Sequence, residues 1–126
     1  MILAIITGVI LYMAIGMLYY SPLLFGNRWV ELLNIKPEQP NYGILSLVTL
    51  LTSILLYGVL QLSHAETLID GALIGGGVGI IIALAYAKDF IFGLGTHSKK
   101  PLSVYFISVG YHVIALTIIG TVMMFF

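Results

Sequence analysis

Apolar residues fill four unbroken runs of the chain, 2–20, 42–62, 68–87 and 102–126, and the charged residues and prolines collect mostly in the short stretches between them. Each run is close to the roughly 20 apolar residues that a helix, rising about 1.5 Å per residue, needs to cross the hydrocarbon core. The runs do not alternate apolar with polar positions, which excludes the strands of a membrane barrel. The expected fold is an all-α integral membrane protein, with four transmembrane helices in an antiparallel bundle and one domain over 1–126. With flanking residues included, the spans are placed at about 2–21, 42–62, 66–89 and 102–125. A fifth element follows the first span. Pro22 donates no N–H and restrains Ser21, so the first helix should end there. Beyond it, Phe25, Trp29, Leu32 and Leu33 recur at helical spacing, while Asn27, Arg28, Glu31 and Asn34 take the opposite face. That pattern predicts a short amphipathic helix along the membrane interface, at about 24–34. Pro37 and Pro40 should stop it before the second span.

Composition supports the membrane class. Of 126 residues, 60% are hydrophobic, and only five are Lys or Arg and five Asp or Glu, where a soluble domain carries about a quarter charged residues. No cysteine is present, which excludes disulfides, thiol nucleophiles and thiolate metal sites. Zero formal net charge offers no bulk attraction to nucleic acid, and no nucleic-acid partner is expected. The N-terminal run lacks the basic region and cleavage site of a secretory signal, so it reads as a permanent helix. Arg28 and Lys36 lie between the first two spans, and Lys88, Lys99 and Lys100 around the third connection. All five fall on one side of the membrane. The positive-inside rule makes that side cytoplasmic and puts both termini outside, in the cell membrane. Tyr19, Tyr20, Trp29, Tyr42, Tyr86 and Tyr105 form an aromatic belt on the same side.

A few residues are costly enough in hydrocarbon to need a reason. Gly71, Gly75, Gly79, Ala83 and Ala87 are spaced by four on one face of the third span, a stripe suited to close helix packing, to a contact between subunits or to a space left for a ligand. Ser63 and Glu66 fit a capping box that would start this helix near His64. Asp70 would then lie almost two turns in, where a carboxylate turns toward the bundle or a wet cavity. His64 points about a third of a turn away from Asp70, so no metal site is expected. Lys88 with Asp89, and His97 in its loop, read as solvated groups. His112 stands at the middle of the fourth span. Tyr12 has matching depth in the first span, Thr52 and Ser53 in the second, and Gly75 to Gly79 in the third. Such a layer, with Tyr111 beside it, is either a hydrogen-bonded structural layer with a neutral His112 or a proton relay or small-ligand pocket. At the cytoplasmic interface, Arg28 with Tyr19, Tyr20, Ser21 and Trp29 is either an anchor or a receiver for an anionic headgroup or ligand.

The stretch YYSPLLFGNRW (residues 19–29) resembles the Trp/Tyr-Tyr-Ser-Pro-x-Leu-Phe-Gly-x-x-Trp signature of a family of small membrane proteins, the domain of unknown function 1761. The last helix, with GYHVIALTIIGTVMMF (residues 110–125), is similar to that family's final segment. Tyr19 stands where many members carry tryptophan, a conservative departure. The resemblance covers nearly the whole chain and implies four membrane helices; it implies no particular activity.

Two functions follow as expectations. The first is an oligomeric channel or transporter for protons or a small solute, with Asp70 at the outer entrance and His112 and Tyr12 in the middle. The second is a non-transporting protein that binds lipid or another hydrophobe, or an accessory subunit of a membrane complex. No Ser/His/Asp set, H-E-x-x-H motif or phosphate loop occurs, and the loops are too short to build a site in water, so neither an enzyme nor a cofactor is expected. The expected partners are membrane lipids, further copies of the chain, and a small-molecule or ion ligand.

Overall fold

A computed structural model describes residues 1–33, 41–91 and 100–126, without the side chains of 90, 91 and 101. Its elements are all helices: α1 (Ile2–Tyr19), α2 (Gly26–Leu33), α3 (Tyr42–Leu62), α4 (Leu68–Ile91) and α5 (Pro101–Met123). Four of them, all but α2, are long and apolar enough to cross a membrane. No strand occurs among the described residues. The expectations for Asn34, Lys36, Pro37, Pro40, His97 and Lys99 lie outside them.

The opening motif is a tight reversal. Tyr20 closes α1 through its N–H to the Gly16 carbonyl, and the Ser21 hydroxyl donates to the Leu18 carbonyl at 2.6 Å. The N–H groups of Leu24 and Gly26 then both return to the Ser21 carbonyl. A Cβ on Gly26 would run into the carbonyl oxygen of Tyr20 and the carbonyl of Ser21. Glycine at the end of the motif is therefore a steric requirement of the turn. The reversal lays α2 against α5, burying Leu32 and half-burying Trp29 and Leu33, while Asn27, Arg28 and Glu31 stay exposed. That is the amphipathic division expected of an interfacial helix.

The start of α4 differs from the sequence expectation. Ser63 ends α3 instead of opening α4: its N–H goes to the Val59 carbonyl, and those of His64 and Ala65 return to Gln61 and Leu60. His64 takes a left-handed conformation, φ 52°, as a residue closing a helix often does. The capping box is one turn later. Asp70 Oδ2 accepts from the N–H groups of Thr67 (2.9 Å) and Glu66 (3.1 Å), and Thr67 Oγ1 accepts from the N–H of Asp70 (3.1 Å). Asp70 thus sits in the first turn, satisfying N–H groups that a helix start leaves open. At the other end of the bundle, Asn41 caps α3 by accepting from the N–H groups of Gly43 and Ile44.

Helix α5 is the centre of the bundle. It packs most extensively on α4, then on α1, with smaller contacts to α2 and α3. Val104, Ala115, Leu116 and Ile119 on it are almost fully buried. The glycine stripe makes the α4 contact. Gly71, Gly75 and Gly79 are buried. A Cβ on Gly71 would strike the Gly120 carbonyl, one on Gly75 the Leu116 carbonyl, and one on Gly79 the Val113 Cα at 2.7 Å. Ala83 and Ala87 continue the stripe half-buried, and the Ala83 carbonyl accepts from the Tyr105 hydroxyl at 2.7 Å. The stripe is spent within the chain, on α5. Helix α3 packs mainly on α1, and its buried residues are Thr49, Ser53, Leu56 and Leu60. Its opening turns, 42–48, are exposed apart from Leu45, which is half-buried.

Replacing Gly75 with leucine should cost about 1–3 kcal/mol or more, because a side chain would enter where two backbones meet. Gly77→Leu is the control, since nothing lies within 4 Å of a Cβ there. Unfolding of the two variants in lipid or mild detergent should show a large loss for the first and little for the second; equal losses would contradict the packing described.

Candidate functional site

Tyr12 reaches from α1 across to α5, where its hydroxyl lies 2.6 Å from Nδ1 of His112. Two assignments of the shared proton are conceivable. If Nδ1 donated, the Tyr12 hydroxyl hydrogen would have no acceptor among the described residues, and Nε2 would be left as a bare acceptor. If Tyr12 donates, both Tyr12 and Nδ1 are satisfied and only Nε2–H remains open. The second leaves fewer orphans in hydrocarbon and is assigned on that ground. Tyr111, next to His112, donates its hydroxyl to the Tyr12 carbonyl at 2.8 Å. It can do so because α1 carries no side chain at Gly16, where a Cβ would come within 2.9 Å of that hydroxyl. Tyr19 repeats the device one level down, donating to the Ile107 carbonyl at 2.7 Å.

Around these bonds the rings form a continuous cluster from the interface to mid-membrane. Trp29 of α2 lies 5.2 Å from Tyr20, Tyr20 lies 5.5 Å from Tyr111, and Tyr111 lies 5.4 Å from Tyr12 and 5.1 Å from His112. Tyr86 of α4 closes the far side, its ring 5.6 Å from the imidazole at 85°. These centroid separations are those of favourable edge and tilted aromatic pairs.

Helices α1 and α4 flank α5 with little direct contact between them, and the opening turns of α3 are exposed. His112, Tyr20 and Tyr86 are accordingly half-buried. Among the described residues, His112 Nε2 and the hydroxyls of Tyr20 and Tyr86 have no hydrogen-bond partner. Three polar groups, reaching from the interface end of the helices at Tyr20 to the middle of α5 at His112, therefore lie beside aromatic rings with no charged side chain among them.

Of the residues singled out in the sequence, Tyr12, Tyr111 and His112 come together, and Tyr19, Tyr20 and Trp29 join them from below. The others do not. The Thr52 hydroxyl donates to its own helix at the Val48 carbonyl, 2.8 Å away. Ser53 is buried against α1, where the missing side chain of Gly8 lets α3 approach: a Cβ on Gly8 would stand 2.8 Å from Ser53 Oγ, which has no partner. Asp70 is a helix cap at the opposite end of α4. Ser21 is tied to Leu18, and Arg28 is exposed, 4.0 Å from an exposed Glu31, so the expected grouping of Arg28 with the tyrosine hydroxyls does not form. The tyrosines turn into the bundle because their rings are apolar and their hydroxyls find carbonyls there. Among the described residues no group of His, Asp and Glu could hold a metal ion.

Tyr86 was read from sequence only as part of the interfacial belt. A signal for its role was present: it follows Gly79 by seven residues, two turns of helix, and so continues the face that α4 presents to α5.

The architecture is that of a multi-pass helical membrane protein with an aromatic, histidine-bearing site inside the bundle. The chain belongs to the family described as Protein of unknown function (DUF1761), whose model matches residues 3–124. Neither the curated proteins nor the solved structures hold a match to it.

The Tyr12–His112 bond is expected to be an energetic pair. Tyr12→Phe and His112→Leu should each destabilise by about 1–3 kcal/mol, having stranded a buried partner. Their double variant should lose less than the sum, with a coupling of about 0.5–1.7 kcal/mol. A coupling of zero in that cycle would show that the pair is not formed.

Proposed function

We propose that the protein is a membrane-embedded binding protein for a small, uncharged, lipid-soluble molecule, held between α1 and α4 against His112. The observation that carries this reading is His112 Nε2, half-buried beside tyrosine rings in the middle of α5 and without a partner among the described residues; with Tyr12 donating to Nδ1, it bears the proton. An N–H exposed to hydrocarbon without an acceptor is expensive, and a ligand that enters from the lipid with an acceptor of its own removes the cost. The cleft also has the make-up of a small-molecule site, mostly apolar walls with a few convergent polar groups. The protein acts in the cell membrane among its lipids, with Arg28, Lys88 and Lys100 at the cytoplasmic end and both termini outside.

One observation favours a second reading. Ser53 Oγ is buried without a partner, beside Gly8 and thus one helical turn along α1 from Tyr12. A file of Ser53, Tyr12 and His112 would suit passage of protons or a small solute. A single four-helix unit has little room for a pore, so this path needs a homo-oligomer.

Two experiments test these readings. Protein extracted with its native lipids should carry a neutral compound, seen by mass spectrometry of the organic extract, that is lost from His112→Phe. Identical extracts from both proteins, together with proton flux into vesicles that needs His112, would favour the transport reading over the proposed one. For orientation, a single cysteine replacing Glu66 should react with an impermeant reagent in intact cells, and one replacing Lys100 only after permeabilisation. The reverse pattern would invert the topology.

A further inference from the structure

The chemistry of the cleft narrows what it can take, a step that rests on the binding reading above. Its open groups are His112 Nε2–H and the phenol hydroxyls of Tyr20 and Tyr86. With Tyr12 donating into Nδ1, the imidazole offers a donor and no acceptor on its free side. The hydroxyls can donate as well. The complementary ligand therefore carries an acceptor for Nε2–H, and the hydroxyls can donate to a second acceptor on it. It is also uncharged: the described Arg28, Lys88 and Asp89 lie at the helix ends and exposed, and nothing within the cleft would neutralise an ion in hydrocarbon. The accessible rings are those of Tyr20, Tyr86 and His112, half-buried in front of the buried Tyr12 and Tyr111, and they favour a flat ring through offset or edge contacts.

We propose that the cleft binds a neutral, flat carbonyl compound of the lipid phase, of the quinone class. One carbonyl oxygen accepts from His112 Nε2–H, a second acceptor on the ring meets the Tyr86 or Tyr20 hydroxyl, and the ring lies among the tyrosines. A hydrocarbon tail leaves between α1 and α4. The proposal is one of binding alone; it assigns no electron transfer.

The test is equilibrium binding of a tritiated decyl-substituted benzoquinone to the whole protein in lipid nanodiscs, measured above protein-free nanodiscs. Binding should be saturable, displaced by the unlabelled quinone and not by decylbenzene, which has the ring and tail without the carbonyls. Tyr86→Phe removes a hydroxyl that has no partner among the described residues, so the fold should be left intact, and the affinity should fall about twofold to tenfold. His112→Phe should weaken binding further. Displacement by decylbenzene as effective as by the quinone would overturn the carbonyl assignment while leaving a hydrophobe-binding site in place. No saturable quinone binding, in a protein that still yields a His112-dependent compound on extraction, would likewise overturn the ligand class alone. Absence of both would remove the binding reading together with it. Unchanged affinity in Tyr86→Phe and His112→Phe would place any bound quinone elsewhere.

Discussion

Helices α4 and α5 meet backbone to backbone, Gly71 and Gly75 resting on Gly120 and Leu116 and Gly79 on Val113. In a bilayer the lipid tails are as apolar as leucine, so helices gain nothing by hiding side chains from water. Association rests on dispersion across close contacts and on hydrogen bonds between helices. The glycine contact supplies the first. It also leaves α5 a face for α1, because α4 occupies only one side of it. Tyrosine supplies the second: Tyr19, Tyr105 and Tyr111 each donate to a carbonyl on a neighbouring helix, and Tyr12 reaches His112.

This arrangement fixes where the polar chemistry can go. A tyrosine on a membrane helix brings an apolar ring and one hydroxyl that must be satisfied. Three of the eight, Tyr19, Tyr105 and Tyr111, are satisfied by carbonyls, which makes them structural ties. The hydroxyls of Tyr20 and Tyr86 have no partner among the described residues, and with His112 Nε2 they flank the same ring cluster between α1, α4 and α5. The same geometry that locks α5 between its neighbours thus leaves a group of unsatisfied polar atoms beside that cluster.

Much of the fold was legible in the sequence because hydrocarbon imposes simple rules. Continuous apolar runs gave the spans, Pro22 and the Phe25–Trp29–Leu33 spacing gave the reversal and α2, and the spacing of Gly71, Gly75 and Gly79 gave a close-packing face. What was illegible depended on rotation about helix axes and on competition between local bonds. Depth alone placed Thr52 and Ser53 with His112, but Thr52 is turned to its own helix and Ser53 toward Gly8. Ser63 and Glu66 matched a capping pattern as well as Thr67 and Asp70 do. The choice between them was made by the end of α3, which needs Ser63 and His64 for its own closure. Tyr86 was hidden by its position near the interface, where a tyrosine has an ordinary explanation.

What His112 can offer a ligand depends on which of its ring nitrogens carries the proton. Nitrogen-15 NMR of histidine-labelled protein in bilayers reads this directly, with His112 identified by the signal lost in His112→Gln. The structure predicts a protonated Nε2 and an unprotonated, hydrogen-bonded Nδ1 whose resonance moves in Tyr12→Phe. A proton on Nδ1, or an Nδ1 signal indifferent to the loss of the Tyr12 hydroxyl, would contradict it.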